Sequence, residues 1–127
     1  MEEHLSGTVT RYKGNGRILG YPTANFSSDI GLADGVYFGT ANLSTYKVHP
    51  SLIFIGIPTT MGDKERRVEV HLLDITDKDY YDQEVSCTIL KFHRPTKKFD
   101  SVAELRIAMK EDEATGRAWF KTRQLLS

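Results

Sequence analysis

The chain has 127 residues, the length of one ordinary domain, and at that size roughly two thirds of the unfolded surface can be buried without staples. Its 17 basic and 17 acidic residues cancel, which speaks against a nucleic-acid binder working through bulk positive charge. The same balance leaves room for a site that holds a small phosphorylated ligand with a few donors.

A single cysteine, Cys87, excludes an intrachain disulfide and reads as a structural thiol rather than a nucleophile. Met1-Glu2-Glu3-His4 lacks the apolar run of a secretory leader, and no stretch reaches the roughly 18 apolar residues of a membrane span. A cytoplasmic protein with no membrane or nucleic-acid partner, working as a monomer, is the simplest expectation.

In chain order, Leu5 to Tyr12 is β-branched and alternating and runs into the Gly14-Asn15-Gly16 turn cluster. Gly35 to Leu43 is a second strand, entered through the turn dipeptide Asp34-Gly35. Lys47 to Ile57 is the most apolar stretch, and its β-branching and flanking Pro50 and Pro58 favour a strand over a short helix. Arg67 to Ile75 alternates, with Val68, Val70 and Leu72 on one face and Glu69, His71 and Leu73 on the other. Val85 to Phe92 is a further strand.

Short strands joined by turns, with no helices between them, predict an antiparallel barrel or sandwich. The barrel is favoured because so short a chain would leave exposed edges in a sandwich. The pattern then changes. Ser101-Val102-Ala103-Glu104 fits a capping box, and Val102, Leu105 and Ala108-Met109 recur at helical spacing. This predicts a helix packed on the barrel, with Gly116 weakening its second half and Asp112 capping local structure. The expectation is one domain over residues 1–127, with the barrel at about 5–95 and the helical part at about 100–125.

Residues 14–25 read Gly-Asn-Gly-Arg-Ile-Leu-Gly-Tyr-Pro-Thr-Ala-Asn. Glycines allow a ligand to approach main-chain N–H groups, although a Gly-rich turn is usually only a turn. The segment is neither a P-loop nor a dinucleotide fingerprint. Pro22 stiffens it, and Thr23 and Asn25, two residues apart in extended backbone, offer oxygen ligands on one side. Such ligands suit Mg²⁺, which takes its other oxygens from water and substrate phosphates. Capping of a turn by Thr23 and Asn25 is the alternative.

The pattern Gly-x-Gly-Arg-x-Leu-Gly-x-Pro-Thr-Ala-Asn, behind a strand carrying Gly7-Thr8-Val9, resembles the signature of riboflavin kinases. The resemblance continues in order through Gly35-Val36-Tyr37, Val68 to Asp74, Tyr80-Tyr81, and Arg94-Pro95-Thr96-Lys97-Lys98-Phe99-Asp100-Ser101. It covers roughly residues 5–120. Gly56-Ile57-Pro58-Thr59-Thr60 departs from it, because many members place Arg or Asn before that proline.

The resemblance implies a mainly β fold: a closed, antiparallel, six-stranded Greek-key barrel with a C-terminal helix on it. It implies transfer of the γ-phosphoryl of ATP to the 5′-hydroxyl of riboflavin, giving FMN and ADP with Mg²⁺ or another divalent cation. By position, Thr23 and Asn25 would hold the metal and the nucleotide phosphates. Gly14, Gly16, Gly20 and Pro22 would shape the loop over those phosphates, and Arg17 would add charge there. Glu69 would be the general base, although a lone strand glutamate is more often solvated. Arg94 would position the flavin or its ribityl chain, with Phe99 packing on the same site or stapling the start of the helix. A flavin-binding barrel without catalysis is the rival expectation, and a nucleic-acid-binding barrel is a more distant one.

Overall fold

In a computed structural model of the chain, residues 3–8, 23–26, 31–43, 48–62, 64–73 and 83–124 are described. They form strands β1 (Glu3–Thr8), β2 (Thr23–Phe26), β3 (Gly35–Leu43), β4 (His49–Gly56), β5 (Arg67–Leu72) and β6 (Glu84–Arg94), then helix α1 (Val102–Thr122). A single 3-10 turn at Thr59–Met61 follows β4. The runs read from the sequence become β1, β3, β4, β5 and β6. The Thr23–Phe26 strand was not foreseen as a sheet member, although its extended backbone was.

The strands make one antiparallel sheet in the order β1-β6-β3-β4-β5-β2. The mainly β fold with a C-terminal helix is therefore what the chain adopts. Closure into a six-stranded barrel is not seen, because β1 and β2 end the order and do not pair among the described residues.

Alternation sorts the side chains. Tyr37 and Ala41 of β3, Ile53 and Ile55 of β4, and Val68, Val70 and Leu72 of β5 join Leu5, Val85, Cys87 and Ile89 in one buried cluster. Each fully buried Val, Leu or Ile among them contributes about 1.5–3 kcal/mol. Helix α1 does not cover this face. It packs on the other one, and the partly buried Leu32 ahead of β3 packs against the cluster.

On the outer face, Phe38 and Leu52 meet Leu73, Phe120 and the partly buried Trp119. Gly116 sits at this seam: a Cβ there would come within 2.9 Å of Leu52 Cδ2 and 3.1 Å of Phe38 Cε1. The glycine that weakens the helical pattern in sequence is what lets the helix approach the sheet.

Helix α1 is one unbroken element of 21 residues. Ser101 caps it, its Oγ accepting from the Glu104 N–H at 3.1 Å. Glu104 reaches back, as a capping box requires, although to the Asp100 N–H at 3.0 Å. The buried stripe is Leu105, Met109, Asp112, Gly116 and Phe120. Val102, expected on that stripe, is exposed. Asp112 does not cap anything. It lies in mid-helix and is buried.

Candidate active site

The outer face of β4 and β5 opens into a cavity of about 280 Å³, flanked on its other sides by α1 and by the segment after β6. Its apolar lining includes Leu52, Phe54, Ile57, Phe99, Leu105 and Met109. Ile57 thus supplies hydrocarbon where the resemblance would have placed a polar group. Converging polar groups are Glu69 and His71 from β5, Arg94 from β6 and Asp112 from α1. A mostly apolar hollow with a few placed polar groups is the usual form of a small-molecule site.

Strand register explains why Glu69 is there. Every residue of β5 is buried, with Val68, Val70 and Leu72 in the apolar cluster and Glu69 and His71 in the cavity wall. Glu69 has 0% exposure and pairs in register with Phe54 of β4 and Asn25 of β2. His71 pairs likewise with Leu52 and Thr23. Directly opposed positions in an antiparallel pair fall on the same face of the sheet, so positions 23 and 25 flank the β5 carboxylate and imidazole. Glu69 Oε1 lies 3.5 Å from His71 Nε2. A lone strand glutamate is more often solvated, but Glu69 is buried and lines the cavity.

Arg94 reaches the site through an irregularity in β6. The β3–β6 register shifts between Val36 and Tyr37, whose partners are Arg94 and Phe92, so His93 is an inserted residue. Such a bulge re-aims side chains that would otherwise alternate. Both His93 and Arg94 consequently meet Asp112. Arg94 donates from Nε to Asp112 Oδ1 at 2.8 Å and from Nη2 to Oδ2 at 2.7 Å. His93 Nε2 lies 3.2 Å from Asp112 Oδ1, and its ring stacks on Phe38 at 4.6 Å.

Phe99 lines the cavity and packs on Leu105 and Met109. Its N–H donates to Thr60 Oγ1 at 3.0 Å, and the Lys97 ammonium lies 5.5 Å from its ring centre. It serves both as cavity wall and as a tie at the start of the helix. At another edge, Asp34 is fixed by Arg66 Nε at 2.7 Å. Beside that pair, Tyr37 Oη donates to Ala33 O at 2.5 Å. Burial raises the Tyr37 phenol above its ordinary value, with Arg66 opposing and Asp34 adding, which keeps it a donor.

Of the residues singled out in sequence, Glu69, Arg94 and Phe99 come together at the cavity, and Thr23 and Asn25 lie in register beside it. Gly14, Gly16, Arg17, Gly20 and Pro22, as well as Tyr80-Tyr81, lie outside the described residues. Asp112 and His93 were missed. Asp112 had a signal: it continues the Leu105–Met109 spacing to Gly116 and Phe120. Among the described residues, no cluster of three or more His, Cys, Asp or Glu could cage a metal ion. No helix among them is long and apolar enough to cross a membrane.

Fold and cavity together define a mainly β domain built around a ligand-sized site with a carboxylate in its wall. The family model for riboflavin kinase (flavokinase) matches residues 2–120. The chain belongs to the riboflavin kinase family. It is 34% identical over 120 residues to a trifunctional RibF/MnmA protein of Mycoplasmoides gallisepticum, covering 92% of this chain and 18% of that one. It is 30% identical over 113 residues to the riboflavin kinase of Homo sapiens, covering 84% of this chain and 73% of the human one. The solved riboflavin kinase of Trypanosoma brucei superposes with a TM-score of 0.70 at 24% identity, over 98% of this chain and 83% of that one, a likeness of fold.

Proposed function

We propose that this chain transfers the γ-phosphoryl of ATP to the ribityl 5′-hydroxyl of riboflavin, giving FMN and ADP, with Glu69 as general base. The observation that carries the reading is Glu69 itself. It is a fully buried carboxylate in a cavity wall, in register with Asn25, within a chain of this family. A strand glutamate placed for solubility would be exposed.

Phosphoryl transfer asks mostly for positioning and charge neutralisation. The apolar wall of Leu52, Phe54, Leu105 and Met109 suits a flat heteroaromatic ring and excludes water around the reacting hydroxyl. Arg94 and Phe99 hold the flavin and its ribityl chain. Glu69 accepts the hydroxyl proton as the new O–P bond forms and the bond from the γ-phosphorus to its bridging oxygen breaks. The proton passes from Glu69 to solvent after product release.

Thr23 and Asn25 fit a hard divalent cation: both carry oxygen donors, and few protein ligands suit an ion that keeps waters and phosphate oxygens. They would hold Mg²⁺ beside the phosphates, and when bound it would neutralise charge developing on them. Gly14, Gly16, Arg17, Gly20 and Pro22 would form the phosphate loop.

The same reading closes the six strands into a Greek-key barrel with β1 and β2 as meeting edges, and treats residues 1–127 as one domain. A cytoplasmic monomer also belongs to it, and the absence of a nucleic-acid partner rests on the balanced charge.

Incubation of the protein with riboflavin, ATP and Mg²⁺, followed by chromatography, should yield FMN that disappears when the metal is chelated. Tight riboflavin binding without FMN would instead establish the non-catalytic flavin-binding barrel.

A further inference from the structure

Charged side chains are almost never fully buried unless paired, and Asp112 is 4% exposed in the middle of a helix. What it pairs with lies in the cavity wall. Its two oxygens grip the Nε/Nη2 edge of Arg94 at 2.8 and 2.7 Å, the fork-on-carboxylate geometry that fixes a guanidinium plane. Arg94 Nη1 donates to Pro95 O at 3.1 Å.

A guanidinium carries five N–H groups. The described residues take three of them, two at Asp112 and one at Pro95, which leaves one N–H on each terminal nitrogen. The side chain is 26% exposed and lines the cavity. The carboxylate is in turn held by His93, which stacks on Phe38. Met109 and Leu105, one and two turns earlier on the same helix, line the same cavity. The position of the cation and that of the apolar wall are therefore set by one rigid element.

We propose that Asp112 is a positioning residue for phosphoryl transfer: it holds the Arg94 guanidinium so that its two remaining N–H groups face oxygen acceptors of the flavin substrate. The proposal rests on the kinase reading above. Arginine has many rotamers, and fixing it before substrate arrives removes an entropy cost from binding. The contribution should appear in substrate affinity rather than in the chemical step.

The test is a double-mutant cycle on the full chain with Asp112→Asn and Arg94→Lys, read by riboflavin KM, kcat and melting temperature. Asp112→Asn should raise the riboflavin KM about tenfold and change kcat less than about threefold, the pattern of lost ground-state binding through a charge-assisted bond. Arg94→Lys should do the same, and the double variant should be no worse than about twofold beyond either single one, because both remove one unit.

If Asp112→Asn does not fold, Asp112→Glu, which keeps the charge but displaces the carboxylate, should show the same rise in KM. A lowered melting temperature with unchanged KM would overturn the proposal, as would losses that multiply in the double variant. A wild-type protein that makes no FMN and binds no riboflavin would sink the kinase reading itself, and this inference with it. Wild-type activity with an unaffected Asp112 variant sinks this inference alone.

Discussion

The two faces of strand β5 are equally buried and chemically opposite. Val68, Val70 and Leu72 enter the apolar cluster inside the curled sheet, whereas Glu69 and His71 alternate with them into the cavity wall. Polar–apolar alternation usually marks a sheet with one face in water. Here both faces are covered, and the polar face lines the cavity. On the proposed reading the inner face serves stability and the outer face chemistry, and substitutions on each should separate the two.

The largest loss of stability should come from the inner face. Leu72→Ala removes a side chain that is 1% exposed in the apolar cluster and should cost about 3 kcal/mol in urea unfolding, while the folded variant keeps the wild-type kcat for FMN formation. On the outer face, Gly116→Val places three carbons against Leu52 and Phe38 and should cost about 2 kcal/mol. A melting temperature at or above wild type would mean that the helix seam has slack.

A smaller effect distinguishes the inner face by pH. Burial pushes the Cys87 thiol from 9.0 up to about 12. The folded chain keeps its proton where the unfolded chain has lost it, so this contribution is whole below pH about 9. It is lost as pH rises from about 9 to about 12. Native protein should accordingly resist iodoacetamide at pH 8, and labelling at the rate of a free thiol would contradict the burial.

Much of this was legible in the sequence. The β5 alternation separated Val68 and Val70 from Glu69, and Gly35–Leu43 coincides with β3 as observed. The Ser101-Glu104 pair marked where the helix begins. What was not legible came from register and curvature. Whether Glu69 is solvated or buried depends on what covers the outer face of the sheet, which alternation alone does not specify. The inserted His93 that turns Arg94 toward α1 leaves no sequence mark, because a bulge is a relation between two strands. Asp112 was read as a cap because a charged residue in a helix is usually solvated, and its place on the buried stripe outweighs that habit.

The most direct test is the single-turnover rate of phosphoryl transfer by Glu69→Gln at saturating riboflavin, ATP and Mg²⁺. The amide keeps the shape of the side chain and cannot take the hydroxyl proton. The rate should fall by at least about 10²-fold, the lower end of general-base assistance, with riboflavin binding and melting temperature close to wild type. A rate near wild type in the folded variant would remove Glu69 from the mechanism and leave the buried carboxylate without its proposed role.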